Sequence, residues 1–150
     1  MDANAGLHGV SSIVEIGAGF GRTCHAILSL SPEIEEYSIV DLDPMLDLSR
    51  KYMKLVAPEV FTRIRFVSSN DFELQEQLAP DLVINIDSFQ EMPPPIIDEY
   101  MNRIVRKAKK FYCKNPLGKY LPEIVGMPRI GPERLLDVLS LGRCTIDPAL

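Results

Sequence analysis

The chain has 150 residues, 46% hydrophobic and 25% charged, with 16 Lys plus Arg against 21 Asp plus Glu and a formal net charge of −5. This is the length of one ordinary domain with enough apolar residues for a core, so a disordered chain is excluded; the acidic balance argues against a surface that neutralises nucleic-acid phosphates. No apolar run approaches the roughly 20 residues that cross a bilayer, and the opening MDANAGLHGV has no basic segment followed by an apolar one, so no secretory signal is visible.

In chain order, Ser12-Ile13-Val14-Glu15-Ile16 is a β-branched run ended by glycines, the pattern of a buried strand. The stretch from Arg22 to Leu30 reads as a helix with Ala26, Ile27 and Leu30 on one face. A second strand, Tyr37-Ser38-Ile39-Val40, runs into Asp41-Leu42-Asp43-Pro44, where Asp43 is the expected N-cap and Pro44 the first helical residue. The helix that follows carries Met45, Leu48, Tyr52 and Leu55 at helical spacing. Ile64-Arg65-Phe66-Val67 and Leu82-Val83-Ile84-Asn85-Ile86 read as the third and fourth strands, with a short helix between Asp71 and Leu78.

Pro93-Pro94-Pro95 suits only the first turn of a helix, whose Ile96, Ile97, Tyr100 and Ile104 share a face. Phe111-Tyr112-Cys113 is a fifth strand, closed by the turn Asn115-Pro116-Leu117-Gly118. A helix from Glu133 to Leu141 and a strand over Arg143-Cys144-Thr145-Ile146 are expected in the proline-interrupted tail. Strands alternating with helices in this way predict an α/β domain over 1–150, core 10–118, with a mostly parallel sheet and helices on both faces. Cys24, Cys113 and Cys144 are widely spaced without a CxxC, which argues for a reduced, cytoplasmic setting. With only His8 and His25, there is no cluster on which to build a zinc site. The basic residues Arg103, Arg106, Lys107, Lys109 and Lys110 read as the solvated face and end of a helix.

Chemistry concentrates in Glu15-Ile16-Gly17-Ala18-Gly19-Phe20-Gly21. Glycines after a first strand let the backbone approach a ligand, and open α/β sheets bind ligands beyond the carboxyl ends of their strands. An acid at the end of the second strand would accept both ribose hydroxyl protons of a nucleotide-like ligand, and Asp41 stands there. A dinucleotide fingerprint requires GxGxxG, but its third glycine position is Arg22. Inside a strand Glu15 must be satisfied, and backbone donors or water leading to the ligand are the expected partners.

The chain instead reads E-x-G-x-G-x-G, followed by Val40-Asp41-Leu42-Asp43-Pro44. In these motifs it resembles the class I S-adenosylmethionine-dependent methyltransferases over roughly residues 10 to 118. The resemblance implies a Rossmann-like three-layer sandwich that binds S-adenosylmethionine. It places Glu15, Gly17, Ala18, Gly19, Gly21, Asp41 and Leu42 at the cofactor. Asn70-Asp71-Phe72 would meet the adenine, and Ile86 and Asp87, at the end of the fourth strand, would lie beside the methionine moiety.

The stretch Asp87-Ser88-Phe89-Gln90-Glu91-Met92, followed by Phe111-Tyr112-Cys113-Lys114-Asn115-Pro116 and Gly118-Lys119-Tyr120, is most similar to sugar O-methyltransferases. A small-molecule hydroxyl, in particular of a sugar, is then the expected acceptor, and Asp87 or Glu91 the general base. No metal is expected. Members of this class carry N-terminal helices over the cofactor and a strand hairpin that closes the sheet; this chain begins almost at its first strand, so the expectation is a domain truncated at both places, part of a longer protein. Two other readings remain open: a cofactor-binding chain without turnover, and a nicotinamide-dependent oxidoreductase, against which Arg22 argues.

Overall fold

A computed structural model describes residues 7–115. The helix and strand expected over 133–146, and all of the turn 115–118 beyond Asn115, lie outside the described residues. Five strands form a single parallel sheet: β1 (Ser12–Ile16), β2 (Glu36–Asp41), β3 (Ile64–Ser68), β4 (Leu82–Ile86) and β5 (Lys110–Lys114), in the order β3-β2-β1-β4-β5. Four helices alternate with them: α1 (Arg22–Leu30), α2 (Asp43–Val56), α3 (Phe72–Gln77) and α4 (Pro94–Arg103). The predicted α/β architecture is therefore present.

The alternation of side chains along the strands divides the core in two. Ile13, Tyr37, Ile39 and Ile84 face Cys24 and Leu28 of α1 and Leu46 and Met53 of α2. On the opposite face Val14, Ile16, Val40, Val67 and Val83 meet Ile97, Tyr100 and Met101 of α4. Strand order reverses between β1 and β4, so a crevice opens there at the carboxyl ends of the strands, the usual ligand position in such sheets.

Two helix faces differ from the expectation. In α1 the buried residues are Cys24 and Leu28, while Ala26 is exposed and Leu30 is 74% exposed. In α2 they are Leu46, Ser49 and Met53, and Leu48 and Leu55 face outward. The cause in α2 is Ser49: a polar residue occupies the core-facing row because its small side chain lies over Gly21, where a Cβ would sit 3.0 Å from Ser49 Oγ. Asp43 is also not the N-cap. Leu42 holds that position, Asp43 and Pro44 fill the first turn, and no side chain caps the helix. In α4, Ile97 and Tyr100, with Ile104 just beyond the helix, are buried as expected, whereas Ile96 is 40% exposed.

At the amino ends of the strands, Asp81 Oδ2 accepts from the N–H groups of Ser11 (2.9 Å) and Ser12 (3.1 Å) and from both hydroxyls (3.0 and 3.2 Å), and Lys109 Nζ lies 2.6 Å from Oδ1. The basic residues are thus not simply solvated. Besides Lys109, Lys110 donates to His8 O at 3.0 Å, Lys107 donates to Glu76 O, and Arg103 pairs with Glu99 at 3.2 Å. Lys109 and the Ser11 and Ser12 donors hold the Asp81 carboxyl well below the usual carboxylate range. Because the folded-state pKa is depressed, the stabilisation is complete above the unfolded value of about 3.9 and is lost as pH falls below it. Asp81→Ala should cost about 2–3 kcal/mol at pH 7, the scale of hydrogen bonds to a charged group, and the deficit should shrink toward acid pH; urea melts of both proteins at several pH values measure it.

Among the described residues no helix is long and apolar enough to cross a membrane, and no group of three or more His, Cys, Asp or Glu side chains gathers where it could hold a metal ion.

Candidate functional site

Strand β1 ends in a left-handed turn, with Gly17, Gly19 and Gly21 at φ 72°, 59° and 94°. The glycines serve different ends. A Cβ on Gly17 would fall 2.2 Å from Ser88 Oγ and 2.4 Å from Ser88 Cβ, so the missing side chain makes room for the loop after β4. A Cβ on Gly19 would meet nothing nearer than Met45 Cε at 4.0 Å. Only at Gly19 does the absent side chain leave the way open. Ala18 accepts the Gly21 N–H at 3.1 Å, which closes the turn before α1.

Asp41, the last residue of β2, holds this turn. Its Oδ2 accepts the Gly19 N–H at 2.8 Å and its Oδ1 accepts the Leu42 N–H at 2.7 Å. Partial burial raises the Asp41 pKa, and the two backbone donors oppose that rise. A carboxylate has about four lone-pair sites; two are used here, leaving one on each oxygen for a vicinal diol. Leu42, 60% exposed, and Phe20, 41% exposed, add apolar surface from the residues just after Asp41 and within the glycine turn.

Glu15 is 2% exposed and points into the α1/α2 side of the core. Its partner is a side chain, not the expected backbone donors: Tyr37 Oη donates to Oε2 at 2.8 Å. Burial raises the Glu15 pKa, and the hydrogen bonds from Tyr37 and Thr23 counter it. Glu15 is thus held inside the core by side chains.

Beyond β3 an open groove is lined by Asp43, Ser68, Asn70, Asp71, Phe72 and Glu73. Asn70 is exposed, and its N–H donates to Ser68 Oγ at 3.2 Å. Asp71 caps α3, Oδ1 accepting the Leu74 N–H at 2.9 Å, so this carboxylate already has a structural duty. Phe72 is 48% exposed and has the Arg103 guanidinium 3.9 Å above its ring centroid.

The β4 end is the most strongly constrained part. Asp87 has φ 58°, a left-handed conformation unusual outside glycine and worth about 1–2 kcal/mol of strain. Hydrogen bonds hold it on both sides: its N–H donates to Lys114 O at 2.8 Å, and its carbonyl accepts Gln90 Nε2 at 2.9 Å. Ile86, before it, is partly buried in the α1/α2 core. The Asp87 and Glu91 carboxylates are exposed, and no hydrogen bond from a described residue orients either one.

Sequence reasoning missed what lies below. Fully buried Asn85 donates to Ile16 O (3.0 Å) and Ser88 Oγ (2.5 Å), and its Oδ1 accepts Asn115 Nδ2 at 2.7 Å. Ser88 Oγ also donates to Ile16 O at 3.1 Å. One amide network thus joins the carboxyl ends of β1, β4 and β5. The signal available in the sequence was a lone Asn in the apolar run of β4, since a buried amide must find partners.

No protein-family model and no curated protein matches the sequence. Solved structures do match in fold. The mitomycin 7-O-methyltransferase MmcR superposes with a TM-score of 0.61 at 15% identity, over 90% of this chain and 37% of that one. The glycopeptide N-methyltransferase MtfA, complexed with sinefungin, has a TM-score of 0.54 at 20% identity, over 66% and 43%. An O-methyltransferase family protein from Burkholderia thailandensis has a TM-score of 0.55 at 19% identity, over 65% and 29%. The chain thus spans less than half the length of each of these three proteins, and its five-stranded parallel sheet with flanking helices is the fold they share with it.

Proposed function

We propose that the chain binds S-adenosylmethionine and serves methyl transfer to a hydroxyl of a small molecule, with a sugar as the acceptor class. The observation that carries this reading is Asp41, fixed by Gly19 and Leu42 N–H groups with one acceptor site left on each oxygen, beside Gly19, whose missing side chain, unlike those of Gly17 and Gly21 in the same turn, leaves open space. That arrangement suits the ribose diol of the adenosyl group. In the same reading the groove at Asn70 and Phe72 takes the adenine, and Asp87 faces the methionine end. The fold shared with methyltransferases supports the assignment, as does the sinefungin bound by one of them, a ligand that is an analogue of S-adenosylmethionine. When bound, the cofactor supplies an activated methyl on a sulfonium, so this chain's residues have chiefly to align the reactants and exclude water. A hydroxyl acceptor gains from a base, and Asp87 and Glu91 are the carboxylates proposed to take its proton.

S-adenosylhomocysteine at 100 times its Kd should stabilise the chain by about 2.7 kcal/mol, a rise of about 5–10 °C in Tm for a domain of this size. NAD should give no shift. Thermal melts with each ligand decide the matter, and stabilisation by NAD alone would overturn the proposal.

A second reading, cofactor binding with little turnover, is favoured by one observation: neither Asp87 nor Glu91 has a described partner that fixes its carboxylate. Release of S-adenosylhomocysteine with a panel of free and nucleotide-linked sugars should therefore be slow for residues 1–150, and robust turnover would dismiss this reading.

A further inference from the structure

Helix α3 contains a buried amide whose placement is not explained by packing. Gln75 has 0% exposure, and its Nε2 donates to two successive carbonyls, Ser68 O at 2.9 Å and Ser69 O at 3.0 Å. Its Oε1 is buried and accepts no hydrogen bond from a described residue. An apolar side chain would fill the position without stranding a buried acceptor, which is costly. What the amide contributes is its grip on the end of β3.

Other bonds converge on the same segment. Ser69 N–H donates to Asp41 O at 2.8 Å, and Asp71 N–H donates to Ser68 O at 3.0 Å. Gln75 N–H itself donates to Asp71 O at 3.0 Å. The segment tied down in this way begins at Ser68 and leads directly into Asn70, Asp71 and Phe72, which line the open groove. Gln75 is behind the groove and has no exposure through which to touch a ligand there.

We infer that Gln75 is a positioning residue for the purine end of the ligand, acting through the Ser68 and Ser69 carbonyls; the inference rests on the cofactor reading above. A loop already held in its bound shape does not have to be ordered on binding, and that saved entropy appears as affinity. Holding Asn70 and Phe72 at fixed positions also allows one purine to be told from another, because misplaced polar groups on the base then stay unpaired.

The test uses the full 150-residue chain with Gln75→Met, which keeps length and volume but has no donor, and Gln75→Glu, whose carboxyl, protonated in so buried a place, donates one bond. Calorimetry gives Kd for S-adenosylhomocysteine and for its hypoxanthine analogue, S-inosylhomocysteine. Hydrogen exchange without ligand reads the loop. Gln75→Met should weaken S-adenosylhomocysteine by about tenfold, a difference near 1.4 kcal/mol, and narrow the preference for adenine. Gln75→Glu should fall between Gln75→Met and wild type. Faster exchange should be confined to the amides of 69–74. If wild type binds and Gln75→Met matches it in Kd and preference, or if exchange rises throughout the chain, Gln75 is a packing residue and the inference falls alone. If wild type binds neither S-adenosylhomocysteine nor S-inosylhomocysteine, the cofactor reading falls, and this one with it.

Discussion

Replacing Gly17 by alanine should lower stability by about 3–4 kcal/mol, combining overpacking of a filled site with the penalty for a non-glycine residue at positive φ. The added Cβ would lie 2.2 Å from Ser88 Oγ and 2.4 Å from Ser88 Cβ. Ser88 cannot readily rotate away, since its Oγ is held by Ile16 O at 3.1 Å and Asn85 Nδ2 at 2.5 Å, and its Cβ moves only with the backbone. The change in Tm should be about 10 °C for a chain of this size. Gly19→Ala provides the contrast. Its φ of 59° still imposes about 1–2 kcal/mol, but its Cβ meets only Met45 Cε at 4.0 Å. Stability should change less there, and ligand binding more. Adding Ser88→Gly to Gly17→Ala removes the obstructing atoms and should restore about 1–2 kcal/mol, a coupling expected of residues in contact. Urea denaturation of wild type, Gly17→Ala, Gly19→Ala, Ser88→Gly and the double variant gives the stabilities and the coupling, and thermal melts give Tm; equal losses at Gly17 and Gly19 would mean that the Ser88 contact is not tight.

Asp41→Ala should weaken S-adenosylhomocysteine binding by about 2 kcal/mol or more, roughly 30-fold, because the two charge-assisted hydrogen bonds proposed to the ribose would be lost. The variant also releases the Gly19 and Leu42 N–H groups, so the glycine turn loses its anchor along with the ligand's. Asp43→Ala is the control. Asp43 makes no cap hydrogen bond and lies in the first turn of α2, so its loss should cost about 0.3–1 kcal/mol through the helix dipole; it also lines the groove, so binding should weaken, but by much less than in Asp41→Ala. Binding should also weaken in acid. In the proposed binding mode the diol would donate to the ionised Asp41 carboxylate, whose pKa burial raises, so affinity should be complete above that pKa and decline as pH falls through it. Calorimetry on both variants, with a pH series on the wild type, measures each effect; loss of the ligand in Asp43→Ala and its retention in Asp41→Ala would mean that the two acids exchange roles.

The strands were the most legible feature of the sequence, because β-branched runs bounded by Gly, Asp and Pro leave little choice of conformation. Leu82–Ile86 has the predicted bounds, and β2, β3 and β5 extend only one residue at one or both ends of their predicted runs. Helix existence was legible too, but not helix orientation. In α2 both Met45-Leu48-Tyr52-Leu55 and Leu46-Ser49-Met53 have helical spacing, and apolarity favours the first. The second is buried because Ser49 is small enough to lie over Gly21, a neighbour 28 positions away that no local pattern displays.

The same division holds at the site. The strand–helix alternation, the glycine turn after β1 and the acid at the end of β2 could be read from local sequence, since each depends on residues adjacent in the chain. What those residues touch depends on packing between distant segments. Glu15 meets Tyr37 and Gly17 meets Ser88. Asn85 joins three strand ends, and Gln75 grips β3 from behind. Strand order and register bring most of these partners together from distant parts of the chain, and burial then requires each polar group to find the donor or acceptor that the fold has placed within reach.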